Sequence, residues 1–239
     1  MARAGAPEPL MTPPFRASRI VFDLDGTLVD TAPDLCAALN HALVSAGGAP
    51  LALEAVRHMV GAGARALIER GIAAHGGRLA RLDREEMLAA FLRYYEAHIA
   101  DRSRPFPGAG ALLERLGAAG LSLGVCTNKP QALALALLDA LDLRRHFAAV
   151  VGADAAPEKK PHPAHLRAVF ERLGGDGPAV MIGDSETDVA AARAFGIPVI
   201  AVDYGYSAIP PSELGADALI ADLAALEPLL RPETARETE

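Results

Sequence analysis

A doubly wound α/β fold, with a small α-helical domain inserted after the first strand, is predicted by three features of this sequence. Five short apolar runs and a weaker sixth are mostly continuous rather than alternating, the pattern of strands covered on both faces of a parallel sheet. From about residue 105 onward these runs alternate with stretches of helical period, giving a βαβα rhythm. The interval from about residue 30 to 104 breaks that rhythm, with helical patterns and no convincing strand.

The strands are expected at Arg19–Phe22, Leu121–Cys126, Ala148–Val151, Ala179–Ile182 and Val199–Val202, with a weaker one at Ala218–Ile220. Between them, Ala109–Ala119 stops at Gly120, Gln131–Leu141 follows Pro130, Pro163–Leu173 stops at Gly174, and Thr187–Phe195 stops at Gly196. Proline near a start and glycine past an end are the usual helix punctuation. In the insert, helical patterns cover Asp34–Ala46, Leu53–Val60, Arg65–Ala74 and Arg84–Ala100. Phe91, Tyr94, Tyr95 and His98 fall along one face of the last of these. The expected organisation is therefore a disordered leader over residues 1–18, a core domain over 19–30 and 105–230, a helical domain over 31–104, and a tail over 231–239. The linkers lie near Thr31–Pro33 and Asp101–Pro107.

Composition narrows the function. The 239 residues are 51% hydrophobic, enough for a sizeable core. The formal charge of −7 repels a phosphate backbone, which argues against nucleic acid as a partner. Cys36 and Cys126 are too few and too far apart for a disulfide framework or a metal site. No apolar run reaches the ~18 residues of a transmembrane helix, and residues 1–18 lack the apolar stretch of a signal peptide. A cytoplasmic protein is expected, as a monomer or homodimer, acting on a small molecule.

The chemistry gathers at strand ends. Asp23-Leu24-Asp25-Gly26-Thr27 follows the first strand directly. Side chains two apart on an extended chain face the same way, so Asp23 and Asp25 can enter one site at the carboxyl edge of the sheet, where α/β ligands bind. The plainer alternative is a solvated Asp-Gly turn. Gly183-Asp184-Ser185-Glu186-Thr187-Asp188 places further acids at a later strand tip, although Ser185 and Thr187 equally suit a helix cap. Acids converging from two strands suit a hard cation such as Mg²⁺. Thr127-Asn128 adds a hydroxyl and an amide, and Lys160, ahead of Pro161-His162-Pro163, adds a point charge for a phosphate oxygen. Lys159 reads as solvated, and His162 as a loop brace.

These four segments, in this order, resemble the motifs of the haloacid dehalogenase superfamily of phosphohydrolases over residues ~19 to ~225. The insert resembles that superfamily's α-helical C1 cap. The resemblance implies that Asp23 attacks phosphorus to form an aspartyl-phosphate and that Asp25 serves as general acid and then general base. It also implies that Asp23, Asp184 and the Asp25 backbone carbonyl hold Mg²⁺, and that Asp188 orients the metal's waters or Lys160. Thr127, Asn128 and Lys160 would bind the phosphoryl group. Anions gathered near Asp25 would raise its pKa and keep it protonated for the first step.

For the substrate, Val60-Gly61-Ala62-Gly63-Ala64 is similar to the cap segment of bacterial phosphoglycolate phosphatases, as are Cys126-Thr127-Asn128-Lys129-Pro130 and Tyr204-Gly205-Tyr206. The expected substrate is 2-phosphoglycolate, with Gly61 and Gly63 letting the cap backbone approach it. Arg65 is a candidate for the carboxylate, the alternative being an exposed helix arginine. Pyrophosphatase, β-phosphoglucomutase and broad phosphatase activities stay open, as does a non-catalytic binding protein. The Gly61–Ala66 stretch also fits Gly-x-Gly-x-x-Ala, with Asp83 downstream, but it follows a helical pattern rather than the strand a dinucleotide turn requires.

Overall fold

The computed structural model describes residues 14–76 and 83–233. Its strands are β1 (Phe15–Ala17), β2 (Arg19–Phe22), β3 (Val29–Asp30), β4 (Arg104–Pro105), β5 (Ser122–Cys126), β6 (Ala149–Val151), β7 (Ala179–Gly183), β8 (Val199–Val202), β9 (Ala218–Ile220) and β10 (Leu230–Pro232). Its helices are α1 (Ala32–Ser45), α2 (Leu53–Arg57), α3 (Ala64–Ala73), α4 (Arg84–Ala97), α5 (Ala109–Ala118), α6 (Gln131–Ala140), α7 (Pro163–Leu173) and α8 (Glu186–Phe195).

Six strands form one parallel sheet in the order β6-β5-β2-β7-β8-β9. Both faces are covered, which explains the unbroken apolar runs. Ile20, Phe22, Leu123, Val125, Val180 and Ile182 pack against α5 and α6 in one core. Their neighbours Val21, Cys126 and Met181 face Leu166, Val169 and Val189 of α7 and α8 in a second. Gly124 serves this second face, since a Cβ there would meet Val169 Cγ1 at 2.8 Å. Strand β2 lies between β5 and β7, where the strand order reverses, and such a switch point opens a crevice at the carboxyl edge.

Helices α1–α4 share a third core, built from Leu39, Leu43, Ile68, Phe91 and Tyr95 among others. The chain crosses into this layer and back through an antiparallel pair, β3 with β4. Beside that pair, the buried Asp34 carboxylate accepts from the backbone N–H groups of Arg102 and Ser103 and from the Ser103 hydroxyl at 2.7 Å. One side chain of α1 thus ties the outgoing segment to the returning one.

Three expectations need correction. The leader expected over residues 1–18 lies outside the described residues as far as residue 13, but Phe15–Ala17 is a strand, paired in parallel with Leu230–Pro232. Phe15 is 2% exposed, and its burial against Leu230 and the sheet outweighs the loop character of the flanking prolines. The tail expected from residue 231 accordingly begins inside β10, and its remainder beyond 233 lies outside the described residues. Finally, Tyr94 and Tyr95 do not share a face. Consecutive helical residues diverge by about 100°; Phe91 and Tyr95 turn inward, while Tyr94 stacks between His41 and His98.

Phe15→Ala is expected to cost about 3–5 kcal/mol, the range for truncating a buried phenylalanine, measured by urea unfolding. A loss below about 1 kcal/mol would show that β1 contributes nothing to the folded state.

Candidate active site

Three strand-end segments and the loop before α7 converge at the carboxyl edge of the sheet. Asp23 and Asp25 leave the tip of β2, Thr127 and Asn128 follow β5, and Asp184 follows β7; Lys160 precedes α7. All six side chains are buried. The two-residue spacing of Asp23 and Asp25 does put both in one cavity, together with Thr127, Asn128, Gly61 and Gly63.

Lys160 is the electrostatic hub. Its Nζ lies 2.9 Å from Asp23 Oδ1 and 2.6 Å from Asp188 Oδ1, with no exposure to solvent. Its backbone N–H donates to His165 Nδ1 at 3.0 Å, which places the His165 proton on Nε2, 3.2 Å from the Val151 carbonyl oxygen. Burial and the Lys160 charge push the His165 pKa down to about 4, so the ring is neutral near pH 7. His162 caps α7 by accepting from Ala164 N–H at 3.2 Å.

Asp184 is pinned at both oxygens, by the Thr27 hydroxyl at 3.0 Å and by Tyr206 N–H at 2.7 Å. The loops around it are glycine for steric reasons. A Cβ at Gly26 or Gly205 would lie 2.4 Å or 2.2 Å from an Asp184 side-chain atom. Asp188 is fully engaged: Oδ1 takes Lys160, while Oδ2 accepts from Asp184 N–H, Ser185 N–H and the Ser185 hydroxyl. It therefore braces α8 and Lys160 together.

One carboxylate oxygen from each of Asp23, Asp184 and Asp188 falls within 4.8 Å of the others. Burial, opposed by Lys160 and reinforced by Asp188, pushes Asp23 up to about 7, and burial with Asp188 and Asp23 raises Asp184 strongly. Counting Asp25 and its partner as well, four buried carboxylates face two buried ammonium groups. The two negative charges left over match one divalent cation, and an all-oxygen donor set suits a hard one.

One sequence expectation fails here. The anions expected to surround Asp25 gather around Asp23 instead, and the direct partner of Asp25 is a cation. Lys129 Nζ lies 2.8 Å and 3.0 Å from its two oxygens, 3% exposed, and 4.7 Å from the centroid of the Tyr95 ring. The sequence reading passed over Lys129 because a lysine after Thr-Asn is indistinguishable from a solvated one until the tertiary packing of α4 is known. Arg65 takes the plainer of its two readings: it is an exposed helix arginine, ion-paired with Glu85 and outside the cavity. Lys159 is exposed as expected, though its Nζ donates to the Ala62 carbonyl at 2.8 Å.

The cap-side loop rests on these segments. Asn128 Nδ2 donates to the Gly61 carbonyl at 3.0 Å and to the Lys160 carbonyl at 3.1 Å. Gly63 has φ +93°, and a Cβ there would meet the Asn128 carbonyl oxygen at 3.1 Å. A second link runs through Asp30, which takes a bidentate Arg57 at 3.1 and 3.0 Å and the Tyr206 hydroxyl at 2.5 Å. Since Tyr206 N–H also holds Asp184, helix α2 and the acid cluster are joined by one residue.

The family model for haloacid dehalogenase-like hydrolases matches residues 20–202, most of the chain and all four motif segments of the site. The chain belongs to that family. It is 50% identical over 202 residues to a phosphoglycolate phosphatase of Caulobacter vibrioides, spanning 84% of this chain and 85% of that protein. It is 43% identical over 211 residues to a phosphoglycolate phosphatase of Agrobacterium fabrum, spanning 88% and 91%. Among solved structures, a predicted phosphoglycolate phosphatase from Haemophilus somnus 129PT superposes with a TM-score of 0.80 at 30% identity, over 88% of this chain and 96% of that one. The family's hydrolases generally use a divalent metal, in keeping with the charge left over at the acid cluster. Among the described residues no helix is long and apolar enough to cross a membrane.

The neutral His165 has a pH signature. Its folded pKa of about 4 lies below the ordinary 6.5, so the unfolded chain binds more protons and stability falls as pH drops from about 6.5 toward 4. The stability advantage of wild type over His165→Gln is expected to shrink by about 3 kcal/mol between pH 7 and pH 4, read from paired urea titrations. A pH-independent difference would mean that the ring is not held neutral.

Proposed function

We propose that this protein is a Mg²⁺-dependent phosphatase that hydrolyses 2-phosphoglycolate to glycolate and phosphate through an aspartyl-phosphate on Asp23. The observation carrying this reading is the asymmetry of the two β2 carboxylates. Asp23 lies against Lys160 in the acid cluster, and Asp25 stands two residues on, in the same cavity, with its own separate cation. This asymmetry supports reading one carboxylate as the nucleophile and the other as the group that handles protons.

In this mechanism an Asp23 oxygen attacks phosphorus and the ester oxygen departs, taking a proton from Asp25. Asp25 then takes a proton from the water that cleaves the acyl phosphate. For the first step Lys129 must loosen its hold on at least one Asp25 oxygen. Lys160 offsets the charge of Asp23 and the phosphoryl oxygens, and Asp188 keeps Lys160 in place. Thr127 and the amides following β5 receive phosphoryl oxygens. Mg²⁺, held by Asp23, Asp184 and the Asp25 carbonyl, would supply Lewis-acid neutralisation of the phosphoryl charge.

The cavity as it stands has a volume of about 30 Å³, room for about two waters. A phosphate ester therefore enters only when α1–α4 move away from the sheet edge, and their return excludes bulk water. The hydrogen bonds from Asn128 to Gly61 and from Lys159 to Ala62 are contacts that such closure would remake. The substrate assignment rests on the shared cap segment and on the relatives' named activity, since the core motifs alone serve many phosphate esters.

The deciding measurement is kcat/KM with Mg²⁺ for 2-phosphoglycolate beside pyrophosphate, β-glucose 1-phosphate and several sugar phosphates. The expected result is a preference of about a hundredfold for 2-phosphoglycolate, corresponding to about 2.7 kcal/mol of selective transition-state binding. Similar low rates on every ester would instead mark a broad phosphatase. Asp23→Asn should abolish turnover with melting temperature retained; activity near wild type would sink the nucleophile assignment.

A further inference from the structure

The acid cluster and Lys160 account for the phosphoryl end of the substrate but leave its other end without a partner. The cavity wall on that side is mostly apolar, with Leu35, Leu67, Phe91 and Leu133. Lys129 is the one cationic side chain among the residues lining the cavity, since Arg65 is exposed on Glu85 and Lys160 is sealed beneath Asp23 and Asp188. A lysine ammonium has three N–H donors, and the two oxygens of Asp25 use at most two of them. Beside it, Tyr95 lines the same cavity, is 1% exposed, and its hydroxyl has no hydrogen-bond partner. A buried hydroxyl without a partner is costly unless a ligand completes it.

We propose that Lys129 and Tyr95 form the subsite for the non-transferred carboxylate of the substrate, so that they, and not Arg65, set specificity for a phosphorylated short hydroxy acid. The proposal rests on the 2-phosphoglycolate reading and deepens it. Its geometry follows from connectivity. In 2-phosphoglycolate a single methylene separates the carboxylate carbon from the ester oxygen that Asp25 must protonate. A cation already touching Asp25 is therefore within reach of that carboxylate. The Tyr95 hydroxyl supplies a donor, and the apolar wall leaves few other polar groups to compete. A substrate with a neutral hydroxyl at that end accepts such hydrogen bonds only weakly and leaves the charge-assisted one with Lys129 unmade, a difference that separates the two analogues.

The test compares kcat/KM, with Mg²⁺, for 2-phosphoglycolate and for 2-hydroxyethyl phosphate, its analogue with a neutral hydroxymethyl group in place of the carboxylate. In Lys129→Gln both substrates lose rate to a common extent, because Asp25 loses its partner. The expected result is a further loss of about tenfold or more for 2-phosphoglycolate alone, the scale of a hydrogen bond to a charged group. Tyr95→Phe should reduce the same ratio by about fivefold with its melting temperature within a few degrees of wild type. Lys129→Arg, which keeps the charge, should retain the preference in part, and it serves if Lys129→Gln does not fold. Equal losses on both substrates would overturn the subsite and reduce Lys129 to a positioning residue for Asp25, while leaving the proposed function standing. A wild-type enzyme with no preference for 2-phosphoglycolate over its neutral analogue would overturn both.

Discussion

Everything at the carboxyl edge of this sheet depends on keeping four carboxylates buried together. Asp23, Asp25, Asp184 and Asp188 are all at least nine-tenths shielded from water. Isolated charges in such surroundings would be too costly to keep, and each has been given a specific partner. Asp188 and Asp23 share Lys160, Asp25 has Lys129, and Asp184 is held by a hydroxyl and a backbone amide. Burial above all, and the crowding of Asp23, Asp184 and Asp188, raise the pKa values of Asp23 and Asp184, and an acid cluster of this kind suits the divalent metal that the family's hydrolases generally use.

That requirement propagates outward. Lys160 can reach two carboxylates only because its backbone is fixed by His165, which must remain neutral to accept its N–H. Gly26, Gly183 and Gly205 lack side chains because a Cβ at any of them would strike Asp184 or Asp188 at 2.4 Å or less. Tyr206 holds Asp184 through its backbone and Asp30 through its hydroxyl, so the position of α2 is tied to the acid cluster. The glycines, the histidine and the tyrosine do no chemistry themselves, yet the geometry of the carboxylates rests on them.

The helical layer obeys a different physics. It has its own apolar core and meets the sheet edge through backbone carbonyls at Gly61 and Ala62, through Arg57 on Asp30, through Tyr95 over Lys129, and through Leu133 of α6. The hydrogen bonds among these are worth little net free energy each, which suits the movement of the layer proposed above. The clamp at Asp34 and the short β3–β4 pair confine that motion to the two crossings of the chain. Phe91 and Tyr95 belong at once to the core of the layer and to the wall of the cavity, which makes opening and exposure of the site the same event.

The sequence by itself determined the sheet strands to within a residue or so, because a strand buried on both faces must be apolar at every position and few other structures demand that. It also determined which acids and which lysine of the four motifs meet, because strand tips of a parallel sheet share one edge. Residues whose role depends on a neighbour far along the chain were not legible. Lys129 acquires its meaning from Asp25 and from Tyr95 of α4, and which of the two readings of Arg65 holds is decided by Glu85. Phe15–Ala17 was hidden because a three-residue strand at a proline-rich terminus carries no periodic signal, and only Leu230, more than two hundred residues later, gives it a surface to bury. Local period and strand-end position are written in the chain; the pairing of charges is decided by packing, since only burial determines which of them must find partners.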